Sequence, residues 1–207
     1  MHFGCAVTSG AIHRIVEQQA ALHAGTVAVI DGNRSITYRD LNYAANAMAR
    51  RLMARGFRRG MQATVTAPIG IDVAIVLLAV LKMGGAYTWN DPGPFAPASV
   101  SLSFAPTPSS SESRHLHLDL SAALAEPVAC SPNLPIVTRT SDVACVMPGA
   151  ADAPVVAVPH ATITALRPQD IPEPTPWGTD PGAFDLWIAL MAGTTAIVET
   201  HAAAVAA

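Results

Sequence analysis

The run from Gln62 to Trp89 constrains this chain more than any other feature. Gln62 to Ala67 (QATVTA) is a β-prone segment. Ile69 to Met83 is apolar on nearly every side and ends at Gly84-Gly85. Ala86 to Trp89 (AYTW) is a second β-prone segment, closed by Asn90-Asp91-Pro92. A helix that is apolar all round must be covered all round. Two strands joined through one helix by short links imply a parallel crossover and an α/β layer. The most apolar part, Ile69 to Leu81, is interrupted by Asp72. It is also shorter than the ~20 residues that span a bilayer. A buried helix is the expectation.

The residues before this unit are patterned as clearly. Ala11 to Leu22 places Ile12, Ile15, Val16 and Gln19 at helical spacing, with Ser9 as a candidate cap. Thr26 to Ile30 (TVAVI) reads as a strand, and Asp31-Gly32-Asn33 turns it into Ser35 to Tyr38 as a hairpin. A helix should begin near Tyr38, capped by Thr37 with Asp40 three residues on. Leu41, Ala45, Met48, Ala49 and Leu52 form its apolar stripe, and Gly56 stops it. Arg50, Arg51, Arg55, Arg58 and Arg59 cluster at that end. They read as a solvated helix end with favourable dipole contacts, against an anion-binding role.

The second half is less regular: of 17 prolines, all but Pro68 follow Asp91. Residues 93–113 are rich in Pro and Ser and read as an extended linker without a regular element. This divides the chain into a well-patterned part (1–92), the linker (93–113) and a degenerate continuation (114–207). Arg114 to Leu120 alternates as one strand, placing His115 and His117 on one face. Two such histidines can chelate a metal, but no third ligand is near, so a polar strand face is expected and no metal. Val143 to Met147 and Val155 to Val158 read as short strands. Arg167 to Gly182 reads as a loop, Leu186 to Met191 as a short helix and Thr195 to Val198 as a strand.

Charge and cysteine usage exclude several classes. The chain is 51% hydrophobic and 13% charged with net charge −3, unlike a disordered tail or a basic nucleic-acid binder. No membrane association is expected either. Cys5, Cys130 and Cys145 are widely spaced and read as reduced thiols of a cytoplasmic protein. The N-terminus lacks the basic and apolar regions of a signal peptide. Lysine occurs once, at Lys82. Any chemistry needing a lysine on a phosphate must use it or borrow one from another chain.

The order of these pieces resembles the N-terminal part of nonribosomal peptide synthetase adenylation domains, within the adenylate-forming (AMP-binding) superfamily. Ser35-Ile36-Thr37-Tyr38-Arg39-Asp40-Leu41 resembles the family's "LTYxEL" segment. Leu81-Lys82-Met83-Gly84-Gly85-Ala86-Tyr87 with Asn90-Asp91-Pro92 resembles "LKAGxAYxPxDP". Arg55-Gly56 and Arg59-Gly60 fall at "RGxxxGD", and Asn133-Leu134-Pro135 resembles an "NLP" before the phosphate-loop strand. The resemblance implies a partial N-terminal domain of the adenylate-forming α/β fold, with layered helices and a mixed, partly parallel sheet. It implies an ATP- and Mg²⁺-dependent chemistry. A carboxylate attacks the α-phosphate, an acyl-adenylate and pyrophosphate form, and a thiol then takes the acyl group.

The phosphate loop of that family has the form "TSGSTGxPKG". The matching stretch here runs from Asp142 to His160. Gly149 and Pro154 keep the family's spacing. Ala150 and Ala151 stand where Ser and Thr belong, Asp152 where a Gly belongs, and Val155 where the Lys belongs. Residues are missing on both sides of the loop. Phe184-Asp185 and the following Leu186 to Gly193 resemble the later "FDxSxxE" and "LxxG" landmarks. By resemblance Asp185 is a candidate for the substrate amino group, against an exposed aspartate at a helix start. The later family motifs, for adenine, ribose, Mg²⁺ and a mobile lid with its catalytic lysine, have no counterpart in the sequence.

Phosphate chemistry depends on positioned donors and cations, and here most are replaced. The expectation is therefore a truncated adenylation-like protein, inactive as an isolated chain, with catalytic residues none and bound cofactor none. Gly149, Ala150, Ala151, Asp152 and Pro154 are a non-functional loop remnant in that reading. Two alternatives stand beside it. One is a non-catalytic scaffold partner of a peptide-synthetase subunit or carrier protein. The other is an adenylating ligase active only with a complementing chain.

Overall fold

The computed structural model describes residues 10–90, 100–105, 114–118, 131–135, 138–147, 155–166, 174–178 and 180–199. The first helix, α1, spans Ile12–Leu22. A hairpin follows, with β1 at Val27–Asp31 and β2 at Arg34–Thr37. Its two-residue loop starts at Gly32, whose φ of 58° suits a residue without Cβ. Helix α2 spans Tyr38–Ala54. Thr37 Oγ1 accepts the Asp40 backbone N–H at 3.2 Å and donates to Asp40 Oδ2 at 2.6 Å. The expected cap is thus in place. Leu41, Ala45, Met48, Ala49 and Leu52 are all buried, as their spacing requires.

The crossover comes next: β3 (Gln62–Thr66), α3 (Ile71–Lys82) and β4 (Ala86–Asn90). Strands β3 and β4 run parallel, in register from Gln62 opposite Ala86 to Thr66 opposite Asn90. Every described side chain of α3 except Asp72 is buried. Strands β3 and β4 cover one side of it, α2 and α1 cover others, and β1 reaches it from a second sheet. Asp31 fixes where α3 starts. Its Oδ2 accepts the Ile71 N–H at 3.3 Å and also takes Arg34 at 2.6 Å, and Arg34 reaches Asp72 at 3.4 Å.

The remaining described elements are β5 (Val100–Ala105), β6 (Arg114–Leu118), β7 (Val143–Met147), β8 (Val156–Pro159), α4 (His160–Ala165), β9 (Thr175–Trp177), α5 (Phe184–Ala192) and β10 (Ala196–Val198). They build two mixed sheets. One has the order β2-β1-β10-β9, with β1, β10 and β9 parallel. The other has the order β6-β5-β3-β4-β7-β8, with β3, β4 and β7 parallel and β5, β6 and β8 antiparallel to their inner neighbours. This is the expected α/β class, and late strands complete both sheets begun by early ones.

Three expectations need correction. The stretch 93–113, read as holding no element, contains β5, paired along its length with β3. Val100, Leu102 and Phe104 alternate with Ser101 and Ser103, a period-2 pattern that the surrounding Pro and Ser obscure. Leu102 is buried. The expected loop 167–182 contains β9, where Trp177 is buried and Thr175 pairs with Ala196. The N-cap of α1 is Ala11, not Ser9, which lies outside the described residues along with Cys5 and Cys130. Residues His115 and His117 lie on β6, in register with Ser103 and Ser101. No helix is long and apolar enough to cross a membrane among the described residues.

The Thr37 cap gives a direct check. Thr37→Ala leaves the Asp40 N–H at the start of α2 without its acceptor and is expected to cost about 1 kcal/mol. A thermal melt should show the midpoint falling by about 2–4 °C.

Candidate functional site

The loop that would meet phosphates leaves the C-terminal end of a parallel strand, where α/β sheets bind ligands. Strands β7 and β8 form its stem, with Met147 opposite Val156. Gly149, Ala150, Ala151, Asp152 and Pro154 lie outside the described residues. Val155, the next residue, is 67% exposed and places an apolar side chain where the resemblance requires a cation. Its neighbour Val156 is 48% exposed.

The start of α5 lies against the same part of the sheet. Tyr87 of β4 is in register with Cys145 of β7, and its hydroxyl donates to the Gly182 carbonyl at 2.6 Å. Trp187 Nε1 donates to that hydroxyl at 2.6 Å. Burial pushes the Tyr87 hydroxyl well above its ordinary pKa, and it pushes the Cys145 thiol up to about 12. Both are therefore neutral packing groups, with the thiol unreactive. Asp180 caps α5, its Oδ2 accepting the Phe184 N–H at 2.6 Å and its Oδ1 the Gly182 N–H at 3.1 Å. Ala183 between them takes φ 50°, a left-handed conformation that costs energy for a residue with Cβ.

Asp185 lies in the first turn of α5 and is exposed. Partial desolvation raises its pKa first, and the charges of Asp180 and Glu199 raise it further. Tyr87 thus holds the start of α5, through Gly182 and Trp187, against the strand that pairs with β7. No described lysine or arginine is bonded to Asp180 or Asp185.

Lys82 is committed to a different set of partners. It is 1% exposed at the end of α3. Its Nζ donates to Glu17 Oε1 at 2.6 Å and Asn42 Oδ1 at 2.7 Å, with Asn133 Oδ1 at 3.4 Å. Asn133 Oδ1 also accepts from Asn42 at 3.0 Å and Asn46 at 2.9 Å. Asn46 and Arg50 bind the neighbouring chain through Ser131 and Pro132. Residues 42, 46 and 50 lie four apart, so one face of α2 grips the segment containing Asn133. Glu17, Asn42 and Asn46 escaped the sequence reading. The available signal was a polar residue within each helix's buried face.

The arginine cluster resolves in the same way. Arg58 donates to the Met53 carbonyl at 2.7 Å, a dipole contact at the end of α2. Arg50 holds Ser131 and Pro132, and Arg59 pairs with Asp142 at 3.0 Å. Arg59 and Asp142 border a surface cleft of about 400 Å³ that Gly60, Gly84, Ala86, Ser141 and Val143 also line. Backbone donation from Arg139 and the Arg59 guanidinium hold the Asp142 carboxyl below the usual range.

Comparison with known proteins places this arrangement. Residues 16–100 match the family model described as AMP-binding enzyme. Surfactin synthase subunit 2 of Bacillus subtilis (strain 168) is 38% identical over 82 residues, covering 40% of this chain and 2% of that protein. Tyrocidine synthase 1 of Brevibacillus parabrevis is 40% identical over 76 residues, covering 37% of this chain and 7% of that protein. The Klebsiella oxytoca NpsA N-terminal subdomain superposes with a TM-score of 0.66 at 18% identity, covering 92% of this chain and 54% of the subdomain. VinN in complex with L-aspartate gives 0.67 at 16% identity, covering 91% of this chain and 57% of VinN. The fold is that of an N-terminal adenylation-domain fragment. The adenylation-like chain spans only a few per cent of the synthases it matches and about half of the solved structures.

The buried pair has a measurable signature. Burial lowers the Lys82 pKa from 10.5 to about 8 despite the opposing pull of Glu17. Between those values the unfolded chain holds a proton that the folded chain does not. Stability should therefore rise as pH goes from about 8 to about 10.5, by about 1.4 kcal/mol per unit from this group. Lys82→Met should flatten that part of a denaturation-against-pH profile. Glu17→Gln strands the ammonium and is expected to cost about 3–5 kcal/mol.

Proposed function

We propose that this chain is an adenylation-like fold that does not form adenylates on its own. The observation that carries this reading is the commitment of Lys82. The sole lysine is buried against Glu17 and Asn42, in a structural role, and cannot approach a triphosphate at the β7–β8 loop. The loop itself offers Gly149, Ala150, Ala151, Asp152 and Pro154, with no side-chain hydroxyl and one added carboxylate. Val155 follows with an exposed isopropyl group. ATP binding needs donors and cations on its phosphates. Removing a single preorganised donor from such a site costs about 3 kcal/mol of transition-state stabilisation. Several are absent here together. Asp185 is the candidate for a substrate amino group, and partial burial with the nearby charges of Asp180 and Glu199 raises its pKa.

In this reading no ATP or Mg²⁺ is held, and the role is that of a non-catalytic partner. The synthase subunits among its relatives, and the artificially fused adenylation–PCP di-domain among its structural neighbours, support a synthetase subunit or carrier protein as that partner. The cytoplasm is the compartment that fits such partners. A second reading has one observation in its favour. The chain matches 54% of the NpsA subdomain, which leaves room for a complementing polypeptide that supplies the remaining fold and an active ligase.

ATP–pyrophosphate exchange across the amino acids tests the first reading on the isolated chain, and exchange that appears only on adding a second polypeptide would establish the other. The isolated chain is expected to give blank rates, and isothermal titration with Mg·ATP is expected to give no heat of binding. Amino-acid-dependent exchange by the purified chain would refute the non-catalytic reading.

A further inference from the structure

Helix α1 begins without a cap of its own. Ala11 is its N-cap and supplies no side-chain hydrogen bond. Instead the Ile12 N–H donates to His160 Nδ1 at 3.2 Å, across 148 residues of chain. His160 is fully buried at the junction of β8 and α4. Its own N–H donates to the Asp142 carbonyl at 3.0 Å, just before β7. One residue therefore ties the start of α1 to both ends of the β7–β8 hairpin. His13 stands beside it, 1% exposed, with ring centroids 6.0 Å apart and the planes at 71°. Among the described residues, His160 Nε2 and both ring nitrogens of His13 have no hydrogen-bond partner.

An imidazole accepts at Nδ1 only while it is neutral with its proton on Nε2. Protonation puts a second donor in front of the Ile12 N–H. It also puts positive charge at the positive end of a helix. Burial opposes that charge. Helix α1 brings His13 beside the ring, then Arg14 and Glu17, the latter paired with Arg14 and with Lys82 of α3. Asp142, before β7, favours the cation, but Arg59 and the Arg139 N–H already hold its carboxylate. Cys145 on β7 is neutral, β8 carries no titratable group, and Asp185 on α5 is exposed. Burial lowers His160 to about 4. Burial first, and then His160, Lys82 and Arg14, lower His13 to about 2.

We propose that His160 is an acid-released latch. Neutral, it caps α1 and ties it to the β7–β8 hairpin; protonated, it releases the first turn of α1 while α3 stays covered. The group binds its proton more tightly when released than when latched. Acid therefore drives release, and the latch is complete only above the ordinary histidine pKa.

Native-state amide hydrogen exchange on the full chain tests this from pH 7 to pH 4.5, with rates corrected for intrinsic chemistry. The opening constant of the Ile12 amide is expected to rise about tenfold per pH unit below about pH 6. The α3 amides should respond less. His160→Asn places a non-titrating acceptor near the Nδ1 position and is expected to make Ile12 protection flat over the same range. His13→Phe should leave the dependence in place. Equal acid dependence in His160→Asn and the parent overturns the latch, as does opening of Ile12 and α3 together at every pH. The parent's imidazole ¹⁵N shifts decide independently of any variant. An Nε2–H tautomer at pH 7, titrating with Ile12 opening, supports the latch, and any other tautomer rejects it.

Discussion

The burial of α3 organises the rest of the molecule. Its residues from Val73 to Leu81 have no exposed face, so a single sheet cannot protect it. Strands β3 and β4 cover one side, and β1 of the other sheet supplies cover that local sequence cannot. That second sheet is built by return. Strand β10, from residues 196–198, lies parallel to β1, from residues 27–31, and β9 lies outside it. Each Val, Ile or Leu side chain removed from water in α3 contributes about 1.5–3 kcal/mol, but only when both layers are present. The early and late parts of the chain are therefore coupled through one helix, despite their different compositions.

Lys82 shows how a charged group is kept inside such a core. The ammonium loses its hydration, which burial alone makes unfavourable. It recovers a carboxylate from Glu17 and amide oxygens from Asn42 and Asn133, which come from α1, α2 and a separate segment. The network has directional requirements that an apolar contact lacks. It fixes how α1, α2 and α3 rotate against one another, and it anchors the chain around Asn133. The same geometry removes the only lysine from any solvent-facing task.

Much of this is legible in the sequence. The Thr37 cap, the α2 stripe and the β3–α3–β4 crossover each rest on local chemistry, and the residues that encode them are contiguous. Strand β5 was hidden because its alternation is carried by Val, Leu and Phe among serines, within a stretch dominated by Pro and Ser. The start of α1 was misread for a different reason. Its first N–H is satisfied by His160, and no local pattern signals a cap 148 residues away. Glu17 was overlooked because a carboxylate on a buried helix face has meaning only once its cation is located. At the site, the substitutions around Gly149 and the position of Asp185 were legible from motif spacing. The packing of the start of α5 on β4 is not legible there, because it depends on Tyr87 reaching the Gly182 carbonyl and on the Asp180 cap.

The contrast between similarity in sequence and in fold follows from the same physics. Identity to the synthases spans about 40% of the chain, whereas the fold of NpsA is shared over 92% of it. The matched stretch, residues 16–100, contains α2, α3 and β4, whose side chains are constrained by packing on several sides. A change there must preserve volume or leave a cavity. The loop end of the β7–β8 stem answers to weaker demands. Val155 and Val156 face solvent, so the pairing of β7 with β8 persists with almost any side chain at those positions. Exposed side chains such as Val155 and Val156 can therefore differ without disturbing the fold, which is held by the buried ones.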